Sequence, residues 1–272
     1  MSTWDSHIPP PDMGLTPRQR ARAMLRFALL ALGLVPALLA LGLARAAETV
    51  IHSGARRFTP RVVQGYCRFL LWVIGLRSDC RGTVMAGDGA LVANHASWLD
   101  IFVLNARAPV QFVAKAEVAG WPGIGLLARL AGTVFIRRDR RDATAQTRLL
   151  AAEFRRGHRL VFFPEGTSTD STLVLPFKAT LFQAFLAPDM PRDMAVQPVS
   201  LRYHAPDGAD PRFYGWWGGM DFARHFLRVL GQARQGHVTV LCHAPIFCTP
   251  GTTRKALALQ AEAAVQTGFN AG

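Results

Sequence analysis

Only four cysteines, Cys67, Cys80, Cys242 and Cys248, occur in 272 residues. No two are spaced C-x-x-C, so zinc-type spacing is absent and no disulfide framework is indicated. They read as small buried hydrophobes in a reducing compartment. G-x-S-x-G, H-E-x-x-H and a P-loop are also missing. Their absence removes the sequence signs of a serine hydrolase, a zinc peptidase and a nucleotide-phosphate loop. Internal repeats and low-complexity blocks are absent. Acidic residues are scarce, 18 against 31 Lys and Arg, for a formal net charge of +13. Such a surplus predicts anionic partners, with nucleic acid and an anionic membrane surface as the main candidates. No nucleic-acid motif is present and the arginines gather beside apolar helices, so nucleic acid is not expected.

Half of the residues are hydrophobic, and the length suits one large domain, or one domain with an appendage. Residues 1–17 carry three prolines before Thr16 and read as a loose tail. A basic patch follows (Arg18, Arg20, Arg22, Arg26), then eighteen residues without a charge, Phe27 to Ala44. Eighteen is the lower limit for a membrane-spanning helix, and Gly33, Pro36 and Gly42 interrupt the run. A cleaved leader shows a similar flank and run, and "LGLARAAE" has small residues at its end. An uncleaved membrane anchor is the preferred reading. The next segment, Pro60 to Leu76, is amphipathic. Val62, Val63, Tyr66, Phe69, Leu70, Val73 and Ile74 fall at helical spacing, with Arg61, Gln64 and Arg68 off the stripe. Basic rims at Arg56, Arg57, Arg61 and Arg77 favour an in-plane membrane helix over a core helix. Residues 18–78 are therefore expected to form membrane-associated helices and 79–272 a separate domain.

In that domain short apolar runs alternate with helix-length segments. Residues 91–93, 110–114, 133–136, 160–163, 196–201 and 238–241 read as strands. Residues 142–156, 178–186, 221–230 and 252–266 read as helices. The alternation predicts an α/β domain with a central mostly parallel or mixed sheet flanked by helices. Pro198, inside "VQPVSL", argues against a regular central strand there.

"LVANHASWLD" carries the chemistry. Within one helix, residues five apart do not share a face, so His95 and Asp100 meet only if His95 precedes the helix. Ser97 as N-cap and Asp100 as third helical residue would provide that, in a capping-box-like S-x-x-D. His95 then suits a general base and Asp100 the carboxylate that holds its tautomer. Without a protein nucleophile, the attacking hydroxyl must come from the substrate. Further on, "AGTVFIRRDRR" offers a phosphate clamp at Arg137 and Arg138. In "VFFPEGTSTD", Glu165, Gly166 and Thr167 directly follow a buried strand, and their amides can face an anion. Gly123, Gly125 and Ala128 match G-x-G-x-x-A, but they follow Trp121-Pro122 rather than a strand, so no dinucleotide site is expected.

In order and spacing these segments resemble the glycerolipid acyltransferase family of 1-acylglycerol-3-phosphate acyltransferases. Asn94, His95 and Asp100 match N-H-x-x-x-x-D. Gly132, Phe135, Ile136 and Arg138 match G-x-x-F-I-x-R. Phe163 to Thr167 match F-P-E-G-T, and Val196, Pro198 and Val199 match V-x-P-V. The likeness covers about residues 88–202, and Lys115 falls at a basic position between the first two motifs. It implies that His95 deprotonates the free hydroxyl of a lysolipid while Asp100 orients it. Asn94, Lys115, Arg137, Arg138, Glu165, Gly166 and Thr167 are implied to bind substrate. The implied acyl donor is acyl-CoA or acyl carrier protein, with no cofactor or metal, at the cytoplasmic face of the inner membrane. The implied acceptor is 1-acylglycerol-3-phosphate. One departure bears on it. Many glycerophosphate-type members follow E-G-T with an arginine, and here the residue is Ser168, with Arg137 or Lys178 as substitutes for the missing charge. "EGTSTD", "LPFKATLF" and "YGWWGGMDFARH" resemble the branch that includes lyso-ornithine lipid acyltransferases.

Overall fold

The protein is represented by a computed structural model that describes residues 4–11, 13–51, 56–87, 89–121, 123–136, 143–187, 190 and 194–271. Two helices open the chain, α1 (Pro17–Ile51) and α2 (Thr59–Ile74). Then come β1 (Arg77–Arg81), β2 (Gly89–Ala93), α3 (Leu99–Arg107), β3 (Gln111–Lys115), a 3₁₀ segment (Ala116–Gly120), α4 (Ile124–Ala131) and β4 (Val134–Ile136). The rest is α5 (Ala143–Arg155), β5 (Leu160–Phe162), a second 3₁₀ segment (Ala179–Leu186), β6 (Ala195–His204), α6 (Phe222–Gly231), β7 (His237–Cys242), β8 (Ile246–Phe247) and α7 (Arg254–Ala271).

The strands form one mixed sheet in the order β1-β7-β6-β2-β5-β3-β4, with β8 also on β6. Only the pairings of β6 with β7 and β8 are antiparallel. Period-2 alternation loads both faces. Leu91 and Ala93 enter a core shared with α2, α3 and α6, while Ala90 and Val92 enter one shared with α5, Ala179–Leu186 and α7.

β6 runs as a ten-residue strand through Pro198, against the expectation of a break. The Pro198 carbonyl accepts from His243 N–H at 3.0 Å, and in a strand a residue's nitrogen and carbonyl face the same side. The missing N–H thus falls where the antiparallel neighbour changes from β7 to β8 and no ladder bond is lost. Residues 179–186, expected as an α-helix, form 3₁₀ turns. Cys67 and Cys242 are buried as expected, whereas Cys80 is exposed and Cys248 half-buried.

The N-terminal helices pack against the sheet domain. Ala23, Leu30, Cys67, Leu70 and Ile74 belong to the same core as the sheet. Arg22 and Arg26, read as membrane flank, instead donate to the carbonyls of Gly231, Leu230 and Gln232 at the C-terminus of α6. Gln64 and Arg68, off the apolar stripe, both donate to Ala106 O at the C-terminus of α3. These are the carbonyls a helix leaves without internal partners. Within the stretch read as a loose tail, the Ile8 and Pro9 carbonyls accept from Arg212 and that of Pro11 from Arg228. α1 and α2 are clasped by Glu48, whose carboxylate accepts from Phe58 N–H, Thr59 N–H and the Thr59 hydroxyl at 2.6–2.7 Å. Gly33 permits close approach here, since a Cβ would lie 2.3 Å from the Phe69 ring.

Candidate active site

Strands β6, β2, β5, β3 and β4 are mutually parallel. Their C-terminal ends therefore share one edge of the sheet. His95 follows β2 there, Phe163 to Thr167 follow β5, and Lys115 ends β3 in register with Ile136. After β2 the chain turns to α3 on one face, and after β5 it reaches Ala179–Leu186 on the other. A crevice at such a reversal is where parallel sheets bind ligands.

His95 and Asp100 meet, with His95 Nδ1 2.8 Å from Asp100 Oδ2. The helix begins later than expected. Trp98 is its N-cap, and the Ser97 hydroxyl accepts from Leu99 N–H rather than from Asp100. The reciprocal half of the box does form, because Asp100 Oδ2 also accepts the N–H groups of Ala96 and Ser97 at 2.8 and 3.0 Å. Asp100 Oδ1 accepts the Tyr203 hydroxyl at 2.7 Å. The carboxylate is fully buried, whereas the His95 ring is 20% exposed. Phe163 stacks on that ring at 4.1 Å and 11°. With Nδ1 held by the carboxylate, Nε2 is the ring nitrogen left for a substrate.

The backbone of His95 is fixed from both sides. Its N–H donates to Glu165 Oε1 at 2.6 Å, and its carbonyl accepts from Thr169 N–H at 2.9 Å. Glu165 Oε2 accepts Leu175 N–H at 2.8 Å. Glu165 was expected to bind substrate, but it is buried with both oxygens on backbone amides and so braces the loops. Burial pushes its pKa up to about 8, against the pull of those two amides and with a further push from Asp100. Asn94 is likewise engaged. Its amide donates to Leu201 O and accepts from Leu201 N–H, continuing the β2 ladder one residue past the strand. Gly166 has φ 81°, and its N–H turns back to Phe163 O. Thr167 is half-buried beside it. Arg137 and Arg138 lie outside the described residues. Lys178 is exposed, immediately before Ala179–Leu186.

Three contacts had no role assigned from the sequence. Tyr203 reaches Asp100 from β6. Thr169 holds the His95 carbonyl. The third is the stretch around Trp216, whose N–H donates to Ala96 O and whose carbonyl accepts the Ser168 hydroxyl. Gly215 makes that seat possible, as a Cβ would lie 2.5 Å from the Asp170 backbone. The edge of Trp216 meets Trp121 at 6.3 Å.

A paired imidazole and carboxylate at the C-terminal edge of parallel strands, with no protein hydroxyl or thiol bonded to His95 Nε2 among the described residues, suits transfer of a group to a hydroxyl that the substrate brings. Residues 80–202 match the Acyltransferase family. The chain is 49% identical over 266 residues to a lyso-ornithine lipid O-acyltransferase of Rhodobacter capsulatus, covering 98% of this chain and 96% of that one. It is 42% identical over 123 residues to a 1-acyl-sn-glycerol-3-phosphate acyltransferase of Neisseria gonorrhoeae, covering 44% and 47%. The crystal structure of the 1-acyl-sn-glycerophosphate acyltransferase PlsC from Thermotoga maritima shares the fold, with a TM-score of 0.65 at 19% identity over 93% of this chain and 97% of that one. The chain belongs to the glycerolipid acyltransferase family and is an acyltransferase.

Proposed function

We propose that this enzyme is a lyso-ornithine lipid O-acyltransferase. It moves an acyl chain from acyl-CoA or acyl carrier protein to the free hydroxyl of the lysolipid. The His95–Asp100 pair carries the mechanism. Nε2 of His95 takes the hydroxyl proton as the oxygen attacks the thioester carbonyl. The tetrahedral adduct expels the thiolate, which receives the proton from the imidazolium. General-base help of this kind is worth roughly 10²–10⁴-fold. Asp100 holds the tautomer and stabilises the transient charge. Asn94 and Glu165 act by setting the His95 loop, while Lys115, Arg137, Arg138, Gly166 and Thr167 are assigned to the acceptor headgroup.

The acceptor reading moves from 1-acylglycerol-3-phosphate to the ornithine lipid on one observation. Ser168, where a phosphate-pairing arginine is the common choice, is buried and donates to the Trp216 carbonyl. The position is closed by "YGWWGG" and offers no cation. Identity to the R. capsulatus enzyme across nearly the whole chain supports the same acceptor. The test is an acyl-transfer assay with lyso-ornithine lipid and lysophosphatidic acid side by side, each with both donors. Ornithine lipid is expected as the preferred product, with turnover abolished in a folded His95→Ala variant. Preference for lysophosphatidic acid would overturn the acceptor, and an active His95→Ala enzyme would overturn the mechanism.

The exposed apolar face of α1 accords with a membrane-associated enzyme. Leu32, Leu39 and Leu43 are 66–74% exposed, while Ala23, Leu30, Leu41, Ala44 and Glu48 form the buried stripe against the protein. A helix packed along its length on α2 and α6 favours lying in the membrane surface over crossing it. The cytoplasmic face fits an acyl donor made in the cytoplasm.

A further inference from the structure

Tyr203 belongs to no motif and is buried, being 5% exposed. Even so, among the described residues it supplies the single donor on Asp100 Oδ1. The three donors on Oδ2, His95 Nδ1 and the Ala96 and Ser97 amides, all come from the loop that carries the histidine. Tyr203 comes from β6, and its ring packs on Tyr214 at 5.4 Å, so the core fixes where its hydroxyl points. We infer that Tyr203 is a positioning residue of the base, whose hydroxyl fixes the plane of the Asp100 carboxylate and draws off part of its charge.

The physical reason is the division of charge in a buried carboxylate. A hydroxyl donating to an ionised oxygen makes a short, charge-assisted bond. It stabilises the carboxylate independently of the histidine. Without it, Oδ1 is a buried acceptor with no partner, and the imidazolium becomes the main sink for the negative charge. His95 then binds its proton more tightly and is less often the free base. Burial, then the charge of Asp100, pushes the Tyr203 pKa well above its usual value, so the phenol stays a donor through the working range. The ionisable groups of this cluster are His95, Asp100, Tyr203, Tyr214 and Glu165. The inference rests on His95 being the base.

Tyr203→Phe keeps the ring and deletes the donor. In purified enzyme, kcat is expected to fall about 10–100-fold, the range that loss of an outer hydrogen-bond partner costs at metal-bound histidines, with KM for donor and acceptor little changed. The acid limb of kcat/KM and the His95 titration, followed by NMR on ¹⁵N-histidine-labelled protein, should both move to higher pH. In an Asp100→Asn background the same change should cost almost nothing further, because its effect runs through the carboxylate. Unchanged kcat, a fall in kcat with an unshifted titration, or full additivity with Asp100→Asn would each overturn the inference. The titration is read without turnover. An unshifted titration beside an inactive His95→Ala variant thus sinks the Tyr203 role alone, while an active His95→Ala variant sinks the base assignment.

Discussion

Asp100 shows what a buried charge requires. With no exposure to water, it is held by two backbone amides, an imidazole and a phenol. Glu165 sits one step behind, with only two amides and a pKa raised to about 8. The native protein thus holds this proton more tightly than the unfolded chain, whose glutamate titrates near 4.5. Stability should fall as pH rises across that window. Chemical denaturation at pH 5 and pH 8 tests this, since Glu165→Gln should lack that share of the decline. An unaltered pH dependence in the variant would show that Glu165 does not titrate there. At this scale the sequence was legible where spacing had a geometric meaning. His95 and Asp100 could meet only across a helix start, and they do. Tyr203 was not legible, since a tyrosine on a strand gives no sign of what lies opposite it until the sheet order is known.

Among elements, helix ends engage at least three of the 28 arginines. Arg22 and Arg26 satisfy the end of α6, and Arg68 with Gln64 the end of α3. A count of charges cannot separate such arginines from ones that face a ligand, which is why the basic patch read as a membrane flank. The helix starts are held by acids. Asp221 accepts Arg224 N–H at the start of α6, and Glu48 on α1 closes the start of α2. Glu48→Ala removes the acceptor of three donors at a buried site. A loss of at least about 1 kcal/mol is expected from capping energetics, read as a lower denaturation midpoint with the acyl-transfer mechanism intact. A midpoint equal to wild type would show that the clasp is dispensable. The clasp was invisible in the sequence because its partners lie ten and eleven residues apart on different helices.

For the whole molecule, the parallel order β6-β2-β5-β3-β4 gathers the separated motifs at one sheet edge. The alternation of strand and helix foretold the sheet, but not its order or the merging of α1 and α2 into its core. What remains outside is the apolar face of α1. Removing a leucine from water stabilises by about 1.5–3 kcal/mol, so Leu39→Glu with Leu43→Glu should cut liposome binding at least about tenfold while sparing turnover on micellar substrate. Equal co-sedimentation with anionic vesicles would place the membrane contact elsewhere.

The pinned loop around His95 has a kinetic consequence. Its amide, carbonyl and ring are all secured by the fold before any lipid arrives, so little rearrangement is left for the moment of reaction. The chemical step then runs at a site prepared in advance, and turnover should track the reactivity of the thioester more closely than the fluidity of the surrounding bilayer.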